Sequence, residues 1–135
     1  MKQCAVLVIN TDGRESIIRA TLERIGFRVV QTTEWPADEV IRGFEVVIVL
    51  LRPMQAVSML GPRLRAKPHF GQRVLIAVTP EPASPQERRA GIGCGFDDVV
   101  GESRDARLLV ARILRQLRAR PEHRCFLPDL KHRAA

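Results

Sequence analysis

Four short apolar runs recur along the chain, and they constrain its fold more than any other feature of the sequence. Each run is rich in Val, Ile and Leu without strict alternation of apolar and polar residues. This pattern is typical of parallel strands that are covered on both faces. Strands are therefore predicted at residues 4–9, 27–32, 45–51 and 73–78, with a weaker fifth strand at 98–100.

The segments between and after these strands predict five helices. Their predicted ranges are residues 13–25, 35–43, 54–67, a short helix that begins at 85 and ends among the glycines at 91–95, and 104–118. Thr11 or Asp12 would cap the first helix. Ser84 and Ser103 would cap the fourth and fifth helices. Pro62 would split or shorten the third helix, because it lacks a backbone N–H.

The alternation of strands and helices predicts the fold class. Strand and helix alternating five times imply right-handed crossovers and a three-layer α/β domain, with one five-stranded parallel sheet covered on both faces. A chain of 135 residues with 45% hydrophobic content suffices for one core but not for two. We therefore expect one domain at residues 1–120 and a basic tail at 121–135. Binding chemistry in such a sheet is expected at the carboxyl ends of the strands.

The formal net charge of +7 is concentrated at the end of the chain. Residues 1–103 carry 13 Lys and Arg against 12 Asp and Glu, a net of +1, whereas residues 104–135 carry nine against three, a net of +6. A basic helix of this kind suits an acidic protein, a phosphate backbone or an anionic membrane surface. Charge alone does not choose among these partners.

Cysteine usage and hydropathy indicate neither a disulfide framework, a zinc site nor a membrane span. The three cysteines are widely spaced, and Cys4 and Cys94 are predicted to be small buried residues. No apolar run reaches the length that spans a bilayer, and the chain enters its first strand without a secretory leader. We expect a cytoplasmic protein without membrane insertion.

Six segments form a recognisable set through their order and spacing. They cover residues 5–12, 22–30, 46–53, 64–68, 74–79 and 95–100. Together they resemble the receiver domain of bacterial response regulators, over residues 4–119. The resemblance implies a flavodoxin-like fold and a role in two-component signalling. In that family a phosphoryl group moves onto an aspartate at the end of the third strand, and acidic residues after the first strand hold a magnesium ion.

The residues that would accept the phosphoryl group depart from the family pattern. Asn10 and Thr11 stand where the family has its acidic pair, which leaves only Asp12 beside them. The acceptor position falls on Val49, or on Leu50 if the register slips by one residue. Neither side chain can be phosphorylated, so the resemblance implies a degenerate phosphorylation pocket that binds no metal and no cofactor.

The ends of the fourth and fifth strands complete this degenerate pocket. Glu102 occupies the position of the family's lysine, and Ser103 that of the proline that follows it. Thr79 matches the family's hydroxyl at the end of the fourth strand, but without an acyl phosphate it is expected to bond local backbone. The pocket has an anion where the family has a phosphate-sensing cation, and we expect this anion, Glu102, to repel phosphates.

Other catalytic constellations are also absent from the sequence. His69, His123 and His132 fall in predicted loops or in the tail, without a Ser or Cys at nucleophile spacing. The glycine-rich residues 91–95 end a predicted helix instead of opening one, so they fail the context of a phosphate cradle. We do not expect an enzyme.

The predicted fifth helix separates an apolar face from an arginine-rich face. The apolar face should pack on the sheet and consists of Ala106, Leu109, Val110, Ile113 and Leu117. The opposite face is a candidate interface and consists of Arg104, Arg107, Leu108, Ala111, Arg112, Arg115 and Arg118. Mixed apolar and basic surfaces are common in interfaces, and the alternative is a solvated face with an incidental Leu108. The resemblance points to the same surface, because receivers dimerise and signal through their fourth helix, fifth strand and fifth helix.

Two classes of function remain in competition. The first is a phosphorylation-independent signalling module that acts by protein–protein contact, with a histidine kinase, a response regulator, another signalling protein or a second copy as its partner. The second is a small nucleic-acid-binding regulator that uses the arginines of the last helix and the tail. Few aromatic residues and the lack of a helix-turn-helix signature weigh against the second class. A small ligand in the degenerate pocket is a third alternative.

Overall fold

The computed structural model describes residues 3–103 and 106–120. Its strands are Ala5–Ile9 (β1), Arg28–Thr32 (β2), Val46–Leu50 (β3), Val74–Thr79 (β4) and Asp98–Gly101 (β5). Its α-helices are Ile18–Ile25 (α1), Asp38–Ile41 (α2), Gly61–Arg65 (α3), Pro85–Cys94 (α4) and Arg107–Arg118 (α5). Two 3-10 helices, Val57–Leu60 and Pro68–Gln72, lie on either side of α3. In this described part of the chain, no helix combines the length and the apolar character needed to cross a membrane.

The five strands form one parallel sheet in the order β2-β1-β3-β4-β5. β1 lies between β2 and β3, so Ile9 is opposite both Thr32 and Val49. β1, β3 and β4 are buried along their whole length, as their uniformly apolar sequences require. This order is that of the flavodoxin-like α/β fold, and the predicted fold class is confirmed.

Side chains that alternate along the strands fill two apolar layers, one on each face of the sheet. The first layer packs under α1 and α5 and includes Leu50 and Ile113. The second packs under α2, α3 and α4 and includes Val49 and Leu64. The two candidate acceptor positions at the end of β3 therefore lie in different layers of the core.

The first helix begins at Ile18, and the prediction that it starts at Gly13 is wrong. Gly13 has a φ of +66°, in the left-handed region, and its N–H donates to the Asn10 carbonyl oxygen at 3.0 Å. This turn interrupts the helical path. Because the helix starts after it, neither Thr11 nor Asp12 is the cap, and the predicted cap is also wrong.

The third helix is split, as predicted from Pro62. The 3-10 helix Val57–Leu60 precedes α3, and Pro62 lies in the first turn of α3, where its missing N–H costs nothing. The predicted cap of α4 is confirmed. Ser84 Oγ accepts the Glu87 N–H at 3.1 Å, and the Glu87 carboxylate accepts the Ser84 N–H at 3.2 Å.

α4 ends among the glycines at 91–95, as predicted. It runs through Gly91 and Gly93 to Cys94, and Gly95, which follows it, has a φ of +123°. Gly91 has a packing role, because a Cβ there would lie only 2.2 Å from the Val99 Cγ2 atom. Because glycine has no Cβ, α4 can lie close to β5 at this position. The packing of the two elements outweighs the low helix propensity of glycine.

The last helix begins at Arg107, so Ser103 is not its cap and that prediction is wrong. The residue before it, Ala106, has a φ of +55°, and this left-handed backbone interrupts any helical path upstream. The face of α5 that packs on the sheet consists of Leu109, Val110, Ile113, Leu114 and Leu117. Arg104 of the predicted interface and the tail at 121–135 lie outside the described residues.

Candidate functional site

The carboxyl ends of the strands bring predicted pocket residues to one edge of the sheet. Asn10 follows β1, Leu50 ends β3, Thr79 ends β4 and Glu102 follows β5. The Glu102 N–H donates to the Thr79 carbonyl oxygen at 2.8 Å, which extends the pairing of β4 with β5. This edge is where the degenerate phosphorylation pocket is predicted.

Arg14 places its guanidinium across this edge, although no local pattern in the sequence singles it out. Its Nη1 donates to the Leu51 carbonyl oxygen at 2.9 Å, and its Nη2 donates to the Glu102 carboxylate at 3.2 Å. The side chains of Arg14 and Glu102 are each 21% exposed, so water screens their ion pair only in part. The Arg14 guanidinium thus links the residue after β3 to the residue after β5.

Ser16 holds Glu102 from a second side. The Ser16 Oγ donates to the other Glu102 carboxylate oxygen at 2.9 Å and accepts the Ile18 N–H at 3.2 Å. The carboxylate expected to repel a phosphate is therefore already engaged on both oxygens. The sequence identified Glu102 but not its two partners.

Asn10 fixes the loop that carries Arg14. Its Nδ2 donates to the Arg14 carbonyl oxygen at 2.8 Å, and its backbone N–H donates to the Thr32 carbonyl oxygen at 2.8 Å. The Asn10 side chain is buried, and its Oδ1 has no hydrogen-bond partner among the described residues. The same bonds explain why this part of the chain does not join α1.

Thr11 and Asp12 lie towards the outside of this pocket. Thr11 is half-buried, and an Asp12 carboxylate oxygen lies 3.9 Å from the Arg14 Nη1. Within residues 3–103 and 106–120, no three side chains of Asp, Glu, His or Cys come together as a metal site. Asp12 instead contributes negative charge beside the Arg14 guanidinium.

The side chains at the end of β3 are apolar and buried. Val49 is 2% exposed and Leu50 is 1% exposed, and they pack into the two apolar layers on opposite faces of the sheet. Whichever of the two corresponds to the acceptor position, its surroundings are apolar.

The loop between β4 and α4 is held against the end of β5. The Thr79 hydroxyl donates to the Glu81 carbonyl oxygen at 2.5 Å, the local backbone bond expected from the sequence. A Cβ at Gly101 would lie 2.7 Å from the Pro82 Cα and 3.0 Å from the Glu81 carbonyl oxygen. Only glycine at this position lets the loop approach β5 so closely.

We expect Glu102→Gln to lower the free energy of unfolding by about 1 kcal/mol, because it removes one charge from the half-buried pair with Arg14. Amide exchange in residues 13–17 should become faster, since Arg14 and Ser16 lose the anion that fixes them. Chemical denaturation and hydrogen-exchange mass spectrometry measure the two effects. Glu15→Gln, an exposed change in the same loop, is the matched control. Equal effects of both changes would contradict this role of the pair.

A second surface lies between α4, β5 and α5, and we call it the α4-β5-α5 groove. It is a shallow groove of about 290 Å³. Its apolar lining consists of Pro82, Ala83, Val99, Val100, Gly101 and Leu108. Its charged lining consists of Arg88, Glu102 and Arg112. Leu108 leaves 51% of its surface exposed, so the groove has an open apolar wall on α5.

Arg112 belongs to the predicted interface, but its guanidinium binds a buried carboxylate of the same chain. Its Nη1 donates to an Asp98 carboxylate oxygen at 2.8 Å, and the Asp98 side chain is only 4% exposed. The other Asp98 oxygen accepts the Val99 N–H at 2.8 Å and lies 3.9 Å from the Arg88 Nη2. A helical wheel gives the direction of the Cβ but not where a long side chain ends, so the contact of Arg112 with Asp98 was not predicted. The remaining described members of the predicted face are exposed: Arg107, Leu108, Ala111, Arg115 and Arg118.

A second arginine–aspartate contact follows α5. Arg120 Nη2 donates to the Asp97 carboxylate at 2.5 Å, and its Nη1 donates to the Arg73 carbonyl oxygen at 2.9 Å. Asp97 also accepts the Leu75 N–H at 2.8 Å. Asp97 and Asp98 thus anchor the last helix to the sheet.

His69 lies in the 3-10 helix Pro68–Gln72, which corrects its predicted place in a loop. The His69 ring Nδ1 contacts one Asp38 carboxylate oxygen, and the His69 backbone N–H donates to the other at 2.9 Å. Partial desolvation by itself raises the pKa of Asp38, but the hydrogen bonds and charge of His69 outweigh it and hold that pKa below its ordinary value. Cys94 is half-buried and not buried as predicted, and this partial burial raises the pKa of its thiol, which disfavours the reactive thiolate.

The comparisons with known proteins concern the fold. No protein-family model matches the sequence, and no curated protein matches it. A CheY-like response regulator receiver domain from Methanospirillum hungatei JF-1 is 18% identical, with a TM-score of 0.58 over 91% of this chain and 100% of that one. An orphan response regulator of H. pylori is 21% identical, with a TM-score of 0.57 over 84% of this chain and 96% of that one.

A third solved structure is similar to this chain to the same degree. It is described as an atypical orphan response regulator that revealed a phosphorylation-independent regulatory mechanism. Its sequence is 24% identical, with a TM-score of 0.60 over 84% of this chain and 95% of that one. The chain therefore has the fold of response regulator receiver domains.

Proposed function

We propose that this chain is a signalling module with a receiver fold that acts by protein–protein contact and is not phosphorylated. The observation that carries the proposal is the Arg14 guanidinium between the Leu51 carbonyl oxygen and the Glu102 carboxylate. A magnesium ion and a phosphoryl group need oxygen ligands that are open to them. In this chain the cation at the strand ends is the Arg14 guanidinium and not a metal ion.

The side chains around Arg14 support the same proposal. Phosphoryl transfer to the protein requires a nucleophile, and the proposed acceptor positions are the hydrocarbon residues Val49 and Leu50. Asn10 and Thr11 offer neutral oxygens in place of an acidic pair. The pocket is therefore internally paired, and the proposal assigns it no ligand, no metal and no catalytic step.

The contacts of the β4–α4 loop support the proposal that the surface formed by α4, β5 and α5 keeps one conformation. Thr79 is already bonded to the Glu81 carbonyl oxygen, and Gly101 lets Pro82 pack on the end of β5. One of the structures with this fold is described as phosphorylation-independent, and we extend that mode of action to this chain.

The proposed contact surface is the α4-β5-α5 groove with the exposed side of α5. Leu108, Ala111, Arg115 and Arg118 are exposed together on this side, and such mixed apolar and basic surfaces suit protein interfaces. The partner in the proposal is a histidine kinase, a response regulator, another signalling protein or a second copy of the chain. A nucleic-acid partner would use the same arginines and is the outcome that the experiment has to separate.

Affinity capture from a native lysate tests the proposal, with and without nuclease. The tagged full chain is compared with a variant that carries Leu108→Glu and Arg115→Glu, and Arg112 is left intact because it holds Asp98. We expect a discrete protein that survives nuclease and is lost with the double variant. Arg42→Glu, an exposed charge reversal after α2, should retain it. Recovery that depends on nucleic acid would contradict the proposal.

A further inference from the structure

We propose that the outer side of the segment at residues 52–67 binds the surface of an anionic membrane without crossing it. The proposal is carried by five exposed residues, which we call the methionine–arginine patch: Arg52, Met54, Met59, Arg63 and Arg65. It goes beyond the proposed function, because this segment packs on the second apolar layer, whereas α5 packs on the first layer at the opposite face of the sheet.

The charge of this part of the chain is of one sign. Residues 46–80 contain five Lys and Arg and no Asp or Glu. The neighbouring helices do not cancel this charge. α2 contributes two acids, of which Asp38 is engaged by His69, and α4 contributes one acid against two arginines. A positive excess therefore remains around the methionine–arginine patch.

The same segment carries the two most exposed large apolar side chains among the described residues. Met54 is 102% exposed and Met59 is 67% exposed. Val57, Leu60 and Leu64 of this segment are buried in the second apolar layer, which leaves the positions between them on the outer side. Hydrocarbon and cations are thus presented to solvent by one short stretch of chain.

A hydrogen-bonded turn holds Met54 away from the core. The Gln55 N–H donates to the Arg52 carbonyl oxygen at 3.1 Å, and the Gln55 Oε1 accepts the Arg52 N–H at 3.0 Å. Met54 has a φ of +66°, in the left-handed region, which is uncommon for a residue other than glycine. The turn therefore keeps a fully exposed apolar side chain directed outwards.

An anionic bilayer matches both parts of the patch. Apolar side chains at a protein surface enter the boundary between headgroups and acyl chains, and neighbouring Arg and Lys are attracted to anionic headgroups. A nucleic acid would pair with the arginines but would leave Met54 and Met59 in water. A second copy would bring arginines against arginines. A protein partner would need a cavity that fits Met54, whereas a bilayer needs none.

Co-sedimentation of the full chain with lipid vesicles tests the proposal. The vesicles contain phosphatidylcholine alone or with about one third phosphatidylglycerol, and we expect binding to the anionic vesicles to be about tenfold tighter. Met54→Gln with Met59→Gln keeps the side-chain length without the apolar character and should weaken this binding about tenfold. Arg63→Gln with Arg65→Gln should weaken it about fivefold.

The matched control is Arg115→Gln with Arg118→Gln, which removes the same charge from the exposed side of α5. It should change vesicle binding by less than about twofold. A second readout locates the contact. With ¹³C-labelled methionine methyl groups, lipids that carry a nitroxide in the acyl chain should broaden the signals of Met54 and Met59.

The other outcomes overturn the proposal in distinguishable ways. No preference for anionic vesicles, or binding that the paired methionine changes leave intact, would remove the membrane contact of this segment. A larger loss with the control than with Arg63→Gln and Arg65→Gln would move the contact to α5. Tighter binding of a single-stranded DNA oligomer than of vesicles would make the patch a nucleic-acid site. Capture of a protein lost on Leu108→Glu with Arg115→Glu would still uphold the proposed function.

Discussion

Replacing Arg112 by methionine will lower the free energy of unfolding by about 3 kcal/mol, because it leaves the Asp98 carboxylate buried without its main counter-charge. The Asp98 side chain is 4% exposed and the Arg112 side chain 23% exposed, so water cannot replace the lost donor at Asp98. Arg88 lies 3.9 Å from the other Asp98 oxygen, and this second cation places the expected loss at the lower end of the range for broken buried pairs. Urea denaturation of the two proteins measures the difference.

Arg115→Met is the matched control for this prediction, since Arg115 is exposed on the same helix. It should change stability by less than about 0.5 kcal/mol. Adding Asp98→Asn to Arg112→Met should recover about half of the loss, because the remaining neutral side chain is cheaper to bury. A loss for Arg112→Met no larger than that for Arg115→Met would contradict the buried pair.

Gly91→Ala should destabilise the domain by about 2 kcal/mol, although alanine is the better helix former. The new Cβ would lie 2.2 Å from the Val99 Cγ2 and 3.3 Å from the Val57 Cγ2. α4 would have to move away from β5 or Val99 would have to leave its position in the core. Denaturation monitored by circular dichroism gives the loss in stability.

Gly93→Ala is the control on the same helix and should have the opposite sign. A Cβ at Gly93 meets nothing within 4 Å, so the substitution should raise stability by up to about 1 kcal/mol. Combining Gly91→Ala with Val99→Ala makes room for the new methyl group and should cost less than the sum of the two single changes. Additive losses would show that the crowding at Val99 is not the cause.

The strands and the fold class could be predicted well from the sequence, and the physical reason is local. A strand covered on both faces needs an apolar residue at every position, as in Val46–Leu50, and such a run is visible without tertiary information. The start of α1 could not be predicted in the same way. It follows the turn at Gly13, and the loop before it is held by Arg14, whose partners Leu51 and Glu102 lie 37 and 88 residues away.

The contacts at this edge of the sheet could not be predicted from the sequence. The resemblance to receivers identified Glu102 as a change of charge, and the sequence suggested repulsion of phosphate. The structure places Arg14 and Ser16 on its two carboxylate oxygens, so the negative charge is engaged within the chain. The contact of Arg112 with Asp98 was not predicted for a related reason, because the long side chain leaves the exposed side of α5 to reach Asp98.

The most direct test of the central claim, that the domain signals without being phosphorylated, is a titration with beryllium fluoride and magnesium. Amide spectra of the ¹⁵N-labelled full chain are recorded before and after the addition. The internally paired pocket, with Arg14 on Glu102 and hydrocarbon at Val49 and Leu50, predicts spectra that superimpose. Saturable shifts at Asn10 and at the ends of β3, β4 and β5 would contradict the account, because they would show that the pocket still binds a phosphoryl mimic and its metal.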